Sequence, residues 1–252
     1  MTNRFFIELS YDGTPFHGWQ IQKNAKTIQQ TLNEALSTVT RQEIYTIGCG
    51  RTDTGVHAKR FFAHFDSEEA IENLSELTFK GNSLLPAEIA IDRIFKVNSE
   101  LHSRFSATYR TYHYFISTNK SPFEVNRAYE FRTKLDLDQM NHGAKILFHQ
   151  DDFTSFSKLH SDAETNLCTI MKAHWEETAN GMKFEIKANR FLRNMVRAIV
   201  GTMIQLGEGK ISPGDFQKII EKKDRSAAGY SVPAHGLYLV DIGYPEGSFN
   251  HE

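Results

Sequence analysis

Two stretches of this chain carry the same succession of patterns, and that succession restricts the fold more than any other feature. Residues 4–11 alternate apolar and polar side chains, with Phe5, Ile7 and Leu9 on one side, and end at the turn pair Asp12-Gly13. Thr27-Ile28-Gln29-Gln30 has the form of a capping box. It opens a helix whose Ile28, Leu32, Ala35, Leu36 and Val39 share a face. Two strands follow, near 44–50 and 60–65, then a break at 82–86 and another strand over 89–97. The rhythm returns with an aromatic strand at 111–117, a helix capped by Asp136 and carrying Leu137, Met140, Ala144, Leu147 and Phe148, and a strand pair at 170–177 and 182–188 joined by a turn at Asn180-Gly181. Residues 191–206 read as a long apolar helix closed by Gly207, and Ser212-Pro213 starts a shorter one. A β-α-β-β order occurring twice predicts an α+β fold of two ferredoxin-like (RRM-like) halves, residues 1–102 and 103–252, each an antiparallel sheet with helices on one face.

Bulk properties exclude several classes. No apolar run approaches the roughly 20 residues that span a bilayer, and the first residues lack a signal-peptide core. Two cysteines, Cys49 and Cys168, form no CxxC pair, and the 11 histidines form no HxH or HxxxH pair, so neither a zinc site nor a disulfide framework is expected. Phosphate-cradling and dinucleotide glycine motifs are missing, as is the Gly-x-Ser-x-Gly elbow. Hence no cofactor and no metal are expected, and a reducing, cytoplasmic setting fits best. The net charge of −2 does not mark a nucleic-acid binder, yet its distribution is uneven. Residues 66–76 hold acids and no Lys or Arg, whereas 101–123 and 187–200 hold cations and no acid.

The chemistry centres on Gly50-Arg51-Thr52-Asp53-Thr54-Gly55-Val56-His57-Ala58. Glycines on both sides allow sharp turning or close approach of a ligand, and a carboxylate beside a cation stays ionised, as a nucleophile or base requires. An Asx-turn made by Asp53 is the plainer alternative. Asp53-Thr54-Gly55 also spells the aspartic-protease triplet, but that chemistry needs two carboxylates sharing a proton, and Arg51 opposes it. On the aromatic strand, Tyr112 and Tyr114 share a face; Tyr114 reads as core, while Tyr112 can stack on an unpaired base or move a proton. Arg190, Arg193 and Arg197, spaced i, i+3, i+7 in the expected helix, form a cationic stripe that like-charge repulsion disfavours unless something negative faces it. Residues 11–20, Tyr-Asp-Gly-Thr-Pro-Phe-His-Gly-Trp-Gln, are too aromatic for an ordinary exposed loop and suit a loop packed against an active-site wall or against nucleic acid. A non-catalytic RNA-binding module is the competing class, since sheets bearing aromatics bind RNA.

Taken in order, the segments Tyr11–Thr14, Gly18–Gln20, Gly50–His57, Asn82 with Leu85-Pro86, Arg104–Thr108, Arg110 with Tyr112 and Tyr114, Asp152–Phe156, Met195–Arg197, Ile199–Gly201 and Gly236–Leu239 resemble the TruA family of tRNA pseudouridine synthases over nearly the whole chain. The resemblance implies conversion of uridine to pseudouridine at positions 38, 39 and 40 of the tRNA anticodon stem-loop, by a homodimer without cofactor. It implies Asp53 as the essential aspartate, Tyr112 as the tyrosine stacking on the target base, and Arg197 as the partner of Asp53. Arg51, Arg110, Arg190 and Arg193 are then candidates for substrate binding. It further implies that the two ferredoxin-like halves share one antiparallel sheet around a central cleft. Thr54 stands where the family usually has alanine, and Thr111 and His113 where arginine is frequent.

Overall fold

The computed structural model describes residues 2–158 and 165–249, which group into two compact units: up to Thr108 together with the segment from Leu239 onward, and Tyr109–Tyr238. The first unit contains β1 (Asn3–Tyr11), α1 (Ile28–Thr40), β2 (Ile47–Gly48), β3 (His57–Ser67), α2 (Leu74–Leu84) and β4 (Ile89–Val97). β1 lies between β4 and β3, antiparallel to both, and the short β2 pairs with β3. The alternation in β1 buries Phe5, Ile7, Leu9 and Tyr11 on one side, and Phe6 faces the other. Phe6 is nevertheless fully buried. Tyr244 and Phe249 from the end of the chain pack on it with ring centroids at 5.6 and 5.8 Å, and Phe249 also stacks on Phe62. This second cover explains why β3 lacks a clean alternation.

In α1, Thr27 caps the helix by accepting from the Gln30 N–H, and Ile28, Leu32, Ala35 and Leu36 are buried. The reciprocal arm of the expected capping box is not made, because Gln30 Nε2 donates to Glu34 one turn on. The break expected at 82–86 falls at residues 85–88, since 82–84 are the last residues of α2. Its Asn82 donates to the Ile91 carbonyl and accepts from the Ile91 N–H, both at 2.8 Å, so the helix end is pinned to β4.

The second unit holds β5 (Tyr109–Ser117), β6 (Tyr129–Glu130), α3 (Leu137–Ile146), β7 (Ile170–Thr178), β8 (Gly181–Ala188), α4 (Met195–Gly207) and α5 (Pro213–Glu221). β8 is antiparallel to β5 on one side and β7 on the other, while β6 makes a short parallel pair with β5. Opposite Tyr112 and Tyr114 lie Ile186 and Phe184, and Trp175 stacks on Phe184 at 4.8 Å while donating to Met203 of α4. Tyr114 is fully buried and its hydroxyl donates to the Pro233 carbonyl at 2.9 Å, which is the core role expected of it. Burial raises its pKa further. A final strand, β9 (Leu237–Gly243), begins in this unit and continues into the first. The fold is therefore mixed α+β.

Three local expectations need correction. The turn joining β7 and β8 is Ala179-Asn180, with Gly181 already paired to Thr178. A Cβ on Gly181 would meet the Ile116 carbonyl oxygen at 2.1 Å, so β5 demands this glycine. Phe148 is exposed, because the chain tightens into a 3-10 turn at Leu147–His149 and rotates it off the apolar face. Finally, α4 starts at Met195, after Asn194 in the left-handed conformation (φ 68°). Arg190 and Arg193 thus precede the helix, and the three arginines form no helical stripe. Among the described residues no helix is long and apolar enough to cross a membrane.

Candidate active site

The segment from Gly50 to Val56 leaves β2 and enters β3 through a closed turn. Val56 N–H donates to the Asp53 carbonyl at 3.1 Å. Gly55 occupies the third place of that turn with φ 77°, as a type II turn requires. Asp53 is half-buried, between exposed Arg51 and Thr54 and the nearly buried Thr52. Gly50 is different from Gly55: a Cβ there would touch nothing within 4 Å, so internal packing does not explain the missing side chain.

Residues 11–20 form the wall behind this turn. Tyr11 Oη and Thr52 Oγ1 are hydrogen-bonded at 2.9 Å in a buried position, and Trp19 N–H donates to the Thr52 carbonyl at 3.3 Å. Gly18 has φ 82°, and a Cβ on it would lie 2.3 Å from the Thr52 oxygen; one on Gly13 would lie 2.0 Å from the Val56 oxygen. Both glycines therefore let the wall touch the backbone on either side of Asp53. Gly13 N–H also donates to Nδ1 of the buried His57 at 3.1 Å. The wall is fastened to the start of α1, where Ile28 and Gln29 donate to the carbonyls of Gly18 and Trp19. Trp19 and Phe16, both 1% exposed, are covered as their chemistry demands. The Trp19 ring stacks on Phe61 at 4.3 Å.

Arg110, Tyr112, Arg190, Arg193 and Arg197 belong to the second unit. Arg110 Nη1 donates to the Asn189 carbonyl at 3.1 Å, and the half-buried Tyr112 meets the Phe191 ring edge-on at 5.1 Å. The 189–193 connection is thus laid against the start of β5, which brings the candidates Arg110 and Tyr112 next to the segment bearing Arg190 and Arg193. Asn189 Oδ1 fixes this segment by accepting from the N–H groups of Thr169 and Arg190, both at 2.8 Å. The Arg193 carbonyl accepts from Lys158 N–H at 3.1 Å. Arg197, in the first turn of α4, donates from Nε to the Val232 carbonyl at 2.7 Å, and its own carbonyl accepts from Val232 N–H at 3.2 Å. Its guanidinium is therefore oriented by a backbone loop.

Thr52 and Tyr11 carry no local sequence pattern that marks them as supports of Asp53, a role that their buried hydrogen bond reveals. The available signal was Gly18, a glycine between His17 and Trp19 where no chain reversal was otherwise expected. Among the described residues no group of three or more His, Cys, Asp or Glu side chains is placed to hold a metal ion.

Comparison with known proteins converges on one description. A family model described as "tRNA pseudouridine synthase" matches residues 144–245. The chain is 50% identical over 246 residues to a protein of Parabacteroides distasonis named tRNA pseudouridine synthase A, covering 98% of each chain. A protein of the same name from Bacteroides fragilis is 49% identical, again covering 98% of each. The Bacillus subtilis protein of that name is 39% identical over 96% of this chain and 99% of its own.

Proposed function

Because the chain belongs to the TruA family of tRNA pseudouridine synthases, we propose that it isomerises uridine to pseudouridine in tRNA with Asp53 as nucleophile. The observation that carries the assignment is the Asp53 turn. Its backbone is closed by its own hydrogen bond and backed by two glycines that admit the 11–20 wall, while open space surrounds the position of Gly50. A carboxylate on so fixed a backbone is pre-organised for attack.

The reaction breaks the bond from uracil N1 to C1′, turns the base, forms the bond from C5 to C1′, and transfers the C5 proton away as N1 gains one. Atoms and electrons are conserved, so the chemistry calls for no redox partner or co-substrate. Extruding the base costs a few kcal/mol, which stacking on Tyr112 offsets by about 1–3 kcal/mol. In this reading Arg197 holds the charge of Asp53, and Arg51, Arg110, Arg190 and Arg193 follow the phosphates. The substrate is the anticodon stem-loop at positions 38–40, and the enzyme works as a cytoplasmic homodimer. Each unit is read as a ferredoxin-like half; the 4-1-3-2 strand order of the first unit supports this reading for that unit.

The test is tritium release from tRNA labelled at uridine C5. Wild type releases tritium, and Asp53→Asn does not, while still binding tRNA. Substantial release by Asp53→Asn overturns the assignment of Asp53. Binding without release by the wild type itself favours an RNA-binding module instead.

A further inference from the structure

Beside the Asp53 turn, but without Asp53 in its lining, lies a small cleft. Trp19, Tyr45, Ile47, Gly50, Arg51 and Arg104 are among the residues that line it. We propose that this cleft holds an unpaired nucleotide of the bound RNA other than the uridine being isomerised, with its base on Tyr45 and its phosphate against Arg51 and Arg104. The proposal rests on reading the chain as an enzyme of tRNA.

Size is the first argument. A cleft of about 90 Å³ is well below the roughly 300–1,000 Å³ of sites that enclose a free small molecule. It fits part of a larger ligand that continues outside. Chemistry is the second. Tyr45 is 57% exposed and Ile47 is 39% exposed, and these apolar surfaces stand next to two guanidinium side chains, the combination by which single-stranded nucleic acid is held. Gly50, whose missing Cβ no internal contact explains, lines the same cleft.

The third argument is that the segment bearing Arg104 is built rather than loose. Ser103, fully buried, donates from Oγ to the Ile47 carbonyl at 2.7 Å, and its carbonyl accepts from Tyr244 Oη at 2.6 Å. His64 Nδ1 lies 2.8 Å from the same Oγ. On the next turn His102 Nδ1 accepts from Arg104 N–H at 3.0 Å. Phe105, 75% exposed, lies under the Arg104 guanidinium at 5.4 Å from its ring centre. These contacts fix the short backbone segment that carries Arg104 into the lining of the cleft before any ligand arrives.

The experiment measures binding of a fluorescently labelled tRNA transcript to the full-length wild type, Tyr45→Ala, Tyr45→Phe and Arg104→Ala across a salt series. Tyr45→Ala is expected to raise Kd about tenfold, the lower range for a lost base–aromatic stack, whereas Tyr45→Phe keeps the wild-type Kd. Arg104→Ala is expected to weaken binding and lower the salt slope by about 1. An unchanged Kd in Tyr45→Ala overturns the proposal, as does an equal loss in Tyr45→Phe, which would mean a hydroxyl contact. A change in oligomeric state rather than in Kd also overturns it, by assigning the cleft to a second copy of the chain. Because Kd needs no turnover, loss of the isomerase reading through absent tritium release is distinguishable from loss of this one.

Discussion

Tyr11 and Thr52, 41 residues apart in sequence, share a buried hydrogen bond of 2.9 Å that ties the last residue of β1 to the residue preceding Asp53. Tyr11 is a core residue of the sheet, 5% exposed, so through this bond the position of the Asp53 turn is referred to the sheet itself. Tyr11→Phe preserves the ring and removes the hydroxyl. The expected outcome is a loss of about 1 kcal/mol in urea denaturation and a severalfold fall in kcat, with little change in the KM for tRNA. A fall confined to KM would mean that the bond does not position the catalytic turn.

Gly18→Ala tests the same support through the backbone. Alanine at φ 82° costs about 1–2 kcal/mol from conformation alone, and its Cβ would sit 2.3 Å from the Thr52 oxygen. Because both partners are backbone, one must move, and Thr52 carries Asp53 with it. The variant is expected to lose about 2–4 kcal/mol of stability and most of its activity. Gly50→Ala is the contrasting case, since nothing lies within 4 Å of the added carbon. Its stability should match wild type within about 0.5 kcal/mol, with any loss appearing in tRNA binding.

These contrasts mark what the sequence could reveal. The turn after Asp53 was legible because Gly55 answers a local conformational demand, and the covered state of Trp19 was legible because an indole that size rarely stays in water. Gly13 and Gly18 were visible as glycines, but their reason is a contact with residues about 40 positions away, which no local pattern encodes. The helix ahead of the break at 82–86 was not legible, because α2 leaves Phe79 and Leu84 exposed, which blurs its apolar face, and because Asn82 serves a tertiary bond rather than a turn. The arginine stripe failed for a different reason. The apolar periodicity of 191–206 runs on through Leu192, which is buried, while a single left-handed residue, Asn194, delays the helix to Met195. Nor does any local signal return the last residues to the first unit; that follows from Phe249 meeting Phe6, Phe62 and Phe95.

His64 makes stability depend on pH. Burial, reinforced by the nearby charges of Arg4 and His102 and opposed by Asp66, lowers its pKa to about 4. Its Nε2 is buried without a hydrogen-bond partner, so one N–H of the doubly protonated ring would lack an acceptor. The unfolded chain, with a His pKa near 6.5, therefore binds the proton that the folded chain refuses. The stabilisation is complete above about pH 6.5 and is lost as pH falls from there toward 4, by at most about 3 kcal/mol. Denaturation of wild type at pH 7.5 and pH 4.5 should show this loss, and His64→Phe should remove most of it. An equal acid loss in His64→Phe would assign it to other groups, His102 first among them, since its pKa is also lowered by burial.

Arg197 supplies the sharpest test of orientation against charge. Its Nε donates to the Val232 carbonyl while its backbone carbonyl accepts from Val232 N–H, so one loop residue grips it at both ends. The same loop is held from β5 by Tyr114, whose hydroxyl donates to the Pro233 carbonyl. Lysine keeps the positive charge of Arg197 but has no Nε donor and no planar fork. Arg197→Lys is expected to lower kcat about 100-fold, comparable to losing one fixed donor in a catalytic site, with tRNA affinity within about threefold of wild type. Tyr114→Phe removes the bond to the Pro233 carbonyl while keeping the Arg197 side chain itself, and should cost about 1 kcal/mol of stability and only a few-fold in kcat. Single-turnover rates and tRNA binding measured on both variants check the pair. Near-wild-type turnover in Arg197→Lys would show that charge alone suffices and that the Val232 contact serves the fold rather than the reaction.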